Sequence, residues 1–145
     1  MPLNVGDYVP DFTAQSTRGE IRFSNLKGRK VVIFFFPKAF TPGCTREVEA
    51  FNKALNEFTS RGVEVIGVSA DKLSTLQRFA EKYSLQYPLI SDSSLEIIKL
   101  FGVLGKSGKT AQRVTFVIDH DGKIKAIVKD LKRAEDHPTE ALKYL

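Results

Sequence analysis

The chain has 145 residues, 42% hydrophobic and 27% charged, a formal net charge of +5 and one cysteine. That length fits a single domain over residues 1–145, folding of which removes roughly 68 to 70% of the surface that the unfolded chain exposes. The basic residues are scattered among acids, which argues against nucleic acid. No stretch approaches the roughly 18 apolar residues of a membrane span, and the first ten residues lack a signal-peptide core, so no membrane partner and a cytoplasmic location are expected. One cysteine forms no internal disulfide, and with two histidines neither a metal site nor a cofactor is expected.

In chain order, Phe12, Ala14, a turn around Gly19, then Ile21 and Phe23 predict an N-terminal hairpin. Val31 to Phe36 is too short for a useful helix and rich in β-branched and aromatic residues, so it predicts a fully buried strand. Pro37 ends that strand. Thr41 followed by Pro42 signals a helix start, with the Thr oxygen expected to cap free amides and Cys44 in the first turn. Val48, Phe51, Leu55 and Phe58 recur at helical spacing, and Cys44 lies on their stripe. That helix should end near Arg61 and Gly62, with Arg61 complementing its dipole.

Val63 to Val68 reads as a second buried strand and Lys72 to Tyr83 as a helix, giving a parallel strand-helix-strand unit with a right-handed crossover. A short strand over Pro88 to Ile90, a short helix over Ser94 to Phe101 and a loop over Val103 to Thr110 follow. Arg113 to Asp119 reads as a strand that turns at Asp121-Gly122 and returns through Lys123 to Val128 as a hairpin. His120, beside that turn, reads as turn chemistry. Asp136 to Leu145 predicts a closing helix.

Taken singly, these residues stay ambiguous. A lone cysteine on an apolar helix face is ordinarily packing, Thr41-Pro42 is ordinarily a plain helix start, and Arg113 alone is a strand-edge residue. Glu47 is either a partner for an arginine or a solvated helix charge. The run PKAFTPGCTRE from Pro37 to Glu47, with GDYVPDFTAQSTRGE before it and RVTFVIDHDGKI after it, resembles the peroxiredoxins. The resemblance is closest to their bacterioferritin-comigratory, or Q-type, branch and covers about Val5 to Val128. It implies an α/β, thioredoxin-like fold: a central mixed sheet flanked by helices, with the hairpin at its N-terminus. It also implies that Cys44 is the peroxidatic thiol, that Thr41 and Pro37 shape its pocket, and that Arg113 reaches it from a distant strand.

Elementary chemistry is consistent with those roles. A thiol of pKa near 8.5 is roughly 7% thiolate at pH 7.4, and lowering that pKa to about 6 gains only about 14-fold. Enzymatic accelerations usually begin near 10⁶. The larger share must come from stabilising charge on the departing oxygen as the O–O bond breaks, a task suited to Arg113, the Thr41 hydroxyl and the amides near Gly43 and Cys44. Gly43 and Glu47 are therefore the substrate-side candidates, and Pro37 shields the pocket from water.

Many members of the branch carry a second cysteine five residues after the first, where this chain has Glu49. Residue 49 lies about 140° around a helix from Cys44. A Cys44 sulfenic acid must then be resolved by an external thiol: thioredoxin, glutaredoxin, a low-molecular-weight thiol, or Cys44 of a second chain. The expected function is a one-cysteine, thiol-dependent peroxidase acting on hydrogen peroxide and organic hydroperoxides, as a monomer or weak homodimer. The rival expectation is a redox sensor or chaperone-like protein switched by Cys44 oxidation. A thioredoxin-like disulfide reductase is opposed by the absence of C-x-x-C.

Overall fold

The computed structural model describes residues 2–145. Strand β3 (Lys30–Phe35) is the spine of a seven-stranded sheet ordered β2-β1-β5-β4-β3-β6-β7. Its neighbours are β4 (Val63–Ser69), parallel to it, and β6 (Val114–Ile118), antiparallel. Because side chains alternate along a strand, β3 feeds two separate cores. Val32 and Phe34 point to the face covered by α1 (Pro42–Thr59), α2 (Leu73–Lys82) and α4 (His137–Leu142). Val31, Ile33 and Phe35 point to the face that holds Phe23 and α3 (Glu96–Leu100). Burial on both faces explains why the sequence shows an unbroken apolar run instead of an alternation.

The helix stripe Val48, Phe51 and Phe58 is fully buried against this sheet. Phe51 stacks on Phe34 with ring centroids 4.1 Å apart, an aromatic pairing that adds to their burial. Close approach is possible because Gly67 of β4 lies beside them: a Cβ there would come within 2.6 Å of Leu89 Cδ2 and 2.8 Å of Phe34 Cζ.

The N-terminal hairpin is β1 (Thr13–Ser16) with β2 (Gly19–Arg22), and it joins the sheet through β5 (Leu89–Ser91), which runs parallel to β4. The other edge is β7 (Ile124–Val128), antiparallel to β6 around the Asp121-Gly122 turn, where Gly122 adopts φ +89°. Mixed pairing, flanking helices and the leading hairpin all match the expected architecture.

Four local expectations change. Arg113 lies one residue before β6, leaving its side chain at the strand mouth. The Val103 to Thr110 loop is closed by a Leu104–Ala111 bridge and the Gly105 N–H bonding Thr110 O at 2.7 Å. The closing helix is shorter than Asp136 to Leu145, because residues Ala134–Asp136 form a 3₁₀ turn before α4 begins at His137. Helix α1 ends at Thr59, with Gly62 at φ +73° just beyond it, while the Arg61 guanidinium bonds Leu142 O of α4 instead of serving α1.

Candidate active site

The parallel β3-α1-β4 unit delivers Cys44 to the third position of α1, behind Pro42 at the first. The first internal bond of the helix runs from Thr45 N–H to Thr41 O at 2.9 Å, so the amides of Gly43 and Cys44 precede it and have no intrahelical acceptor. Cys44 is buried, and Arg113 comes from the opposite side of the sheet sequence to meet it. The guanidinium spans two groups: Nη1 donates to Glu47 Oε1 at 2.6 Å and Nη2 lies 3.5 Å from Cys44 Sγ. The guanidinium thus brings one positive charge up to both the sulfur and the carboxylate.

Glu47 is fully buried one helical turn from Cys44 and pairs with Arg113, so of its two sequence readings the arginine partner holds. Burial pushes its carboxyl up to about 8, with the Arg113 charge and hydrogen bond pulling it down. Arg113 is raised from its ordinary value by Glu47 and Cys44, against the effect of burial. Gly43 is needed for the approach, since a Cβ there would lie 3.2 Å from Arg113 Nη2.

Thr41 departs from expectation. It is the residue before α1, but its hydroxyl makes no cap; it donates to Lys38 O at 2.6 Å. The Pro37 to Thr41 loop is therefore stitched locally, and Phe40 within it adopts φ +67°, a costly conformation for a bulky residue. An Asp71 carboxylate at the end of β4 holds the same loop by accepting from Ala39 N–H at 2.8 Å and from Ser69 Oγ at 2.7 Å. Pro37 is half-buried beside it.

Four residues of this region carry no local signal in the sequence. Asp71 acts through a backbone amide 32 positions away. Tyr87 donates its hydroxyl to Val48 O at 2.7 Å and senses the Glu47 charge. Thr115 and His137, both buried, contact each other at 2.8 Å behind Glu47. His120, by contrast, is exposed beside Asp119 at the hairpin turn, as expected. Among the described residues there is no cluster of metal-ligating side chains and no helix long and apolar enough to cross a membrane.

Residues 5–127 match the model of the AhpC/TSA family. The chain is 38% identical over 143 residues to peroxiredoxin Bcp of Escherichia coli, covering 94% of this chain and 92% of that one. It superposes on the crystal structure of peroxidoxin BcpB from Mycobacterium tuberculosis with a TM-score of 0.90 at 35% identity, over 98% and 96% of the two chains. The bacterioferritin comigratory protein of Xanthomonas campestris, studied for its alkyl peroxide reduction activity, gives a TM-score of 0.86 at 28% identity over 97% and 94%. The sheet and its helices are thus the thioredoxin-like fold of these proteins.

Proposed function

The chain belongs to the AhpC/TSA family, as a one-cysteine peroxiredoxin of the Bcp/Q type and a thiol-dependent peroxidase, and from that premise we propose how its residues divide the reaction. Cys44 is the nucleophile. Its thiolate attacks the terminal oxygen of a hydroperoxide; the S–O bond forms as the O–O bond breaks, and the electron pair leaves on the departing oxygen, which takes a proton to become water or an alcohol. Cys44 is left as a sulfenic acid. An external thiol then attacks that sulfur, expelling water, and a second thiol frees Cys44 from the mixed disulfide.

The observation that carries this reading is the Arg113 fork, one nitrogen on Glu47 and the other 3.5 Å from Cys44 Sγ. A guanidinium so held is positioned before the reaction to stabilise charge as it moves from sulfur to oxygen. Gly43 leaves room for it. The Gly43 and Cys44 amides are donors available to the peroxide, Thr41 and Pro37 wall the pocket, and Glu47 orients Arg113 while the substrate is bound. Organic hydroperoxides are substrates alongside hydrogen peroxide, in keeping with the alkyl peroxide reduction of the Xanthomonas relative.

With no second cysteine in the chain, the reductant is thioredoxin, glutaredoxin or a small thiol, and the working form is a single domain, monomeric or weakly dimeric. The switch-without-turnover reading is not favoured by peroxiredoxin relatives that match nearly the whole chain. Peroxide consumption with thioredoxin and its reductase, or with dithiothreitol, tests the proposal. Wild type should turn over while Cys44→Ser does not, and a wild type no faster than the variant rules the peroxidase out.

A further inference from the structure

Glu47 Oε2 is a fully buried oxygen without a hydrogen-bond partner among the described residues. Such orphans are rare because they forfeit a solvated bond without replacement. His137 Nδ1 lies 3.9 Å from it, beyond hydrogen-bond reach. Nδ1 is already engaged by the Thr115 hydroxyl at 2.8 Å, and the ring is buried. If Nδ1 carries the proton it donates to Thr115; if it does not, Thr115 donates to it. In both tautomers Oε2 receives nothing.

We infer that His137 is a positioning residue for peroxide reduction: held by Thr115, it withholds a donor from Glu47 and so leaves the charge of Arg113 to be shared with Cys44. A carboxylate with both oxygens satisfied would hold its negative charge firmly and claim most of that guanidinium. One with an orphan oxygen in a dry site takes up a proton more readily. The pair then behaves as a neutral carboxyl beside a free cation, and the cation serves the thiolate and the departing oxygen. This inference rests on the peroxidase reading above.

The charged and titratable surroundings are consistent with it. Glu47 faces Arg113 at the mouth of β6, His137 on α4 and Cys44 on its own helix, and its charge is felt by Tyr87 before β5. His137 faces Thr115, Glu47 and Arg113, adjoins Asp136, and shares a groove with Lys129 and Asp130. Burial and Arg113 push the imidazole down to about 4, so it stays neutral and supplies no charge to Oε2.

The test follows the Glu47 carboxyl by ¹³C NMR and, in parallel, the pH profile of sulfenate formation in a single turnover without thiol. Thr115→Val frees Nδ1–H to swing about 1 Å toward Oε2, and His137→Gln offers an amide donor there. Both should move the Glu47 titration down by about one pH unit or more, a tenfold change in its proton affinity. The alkaline limb of the rate profile should move with it, with sulfenate formation roughly fivefold slower at pH 8 and roughly twofold slower at pH 7. His137→Phe offers no donor and should move the titration up or leave it in place, and Thr115→Ser should match wild type. A Glu47 titration that is unmoved or shifts in one common direction in every variant overturns the inference, as does a shift that leaves the rate profile unchanged. Should Thr115→Val not fold, the contrast between His137→Gln and His137→Phe decides alone. A wild type that forms no sulfenate, with the NMR shifts as expected, defeats the peroxidase reading instead.

Discussion

Phe34 and Glu47 are both fully buried, Phe34 beneath α1 and Glu47 on that helix, yet they are held by opposite means. Around Phe34 the packing is mainly aromatic: Phe36 and Tyr87 lie near its ring, Phe51 stacks on it, and Gly67 makes room for it. Such a site depends on volume and fails when a void opens. Around Glu47 there is a charge, one strong partner and one unsatisfied oxygen. That site depends on pairing, and it fails when a partner is removed. Stability is concentrated in the first region, while the second spends some of it on a cation poised beside a thiol.

The comparison is broken most severely on the apolar side by Phe51→Ala, which should cost about 3 to 5 kcal/mol in denaturant unfolding. The folded fraction should still form sulfenate, because the Arg113 guanidinium is held by Glu47 beside Cys44. On the polar side, Arg113→Ala should slow sulfenate formation by about 10² to 10³, roughly 3 to 4 kcal/mol in the barrier. Stopped-flow mixing with hydrogen peroxide reads this directly, and an unchanged rate removes Arg113 from the reaction.

Equilibrium unfolding against pH separates the regions at a smaller scale. Glu47, raised to about 8 from 4.5, binds a proton in the native state that the unfolded state has lost, so rising pH through that window destabilises the fold. His137, lowered to about 4 from 6.5, does the reverse, contributing stability that is lost as pH falls from 6.5 toward 4. The two oppose each other between 4.5 and 6.5. Stability should therefore decline from pH 6.5 to 8, by about 1 kcal/mol per unit at most, and Glu47→Gln should flatten that decline. Gly43→Ala, which presses on Arg113 Nη2 at 3.2 Å, should slow sulfenate formation about tenfold, roughly 1.4 kcal/mol, with little change in unfolding. Arg46→Ala, losing only an exposed pair with Glu135 at 3.6 Å, should change stability by less than about 1 kcal/mol.

The same division governs what the sequence discloses. The Phe34 region is readable because strand and helix periodicities are local: Val31 to Phe36 and the Val48, Phe51, Phe58 stripe announce burial by spacing alone. Cys44, Gly43, Glu47 and Arg113 are readable only through the resemblance of PKAFTPGCTRE and RVTFVID to a family. Residues 44 and 113 meet across 69 positions, a distance no local pattern spans. Thr before Pro predicts that Thr41 caps α1 through its oxygen, but the hydroxyl is turned to donate to Lys38 O in a loop where Phe40 is left-handed, and that oxygen accepts no helix amide. Thr115, His137 and Asp71 are ordinary residues in strand, helix and turn, and their roles arise only when the sheet and α4 close on α1.

Oxygen transfer to the protein in the absence of thiol is the most direct check on the account. Protein mixed with excess hydroperoxide for a single brief interval, then trapped and digested, should carry one added oxygen on the peptide containing Cys44, with one equivalent of alcohol released per chain and no further consumption until thiol is added. Oxygen appearing elsewhere, or consumption running past one equivalent without thiol, contradicts a mechanism in which Cys44 begins the cycle and an outside thiol finishes it.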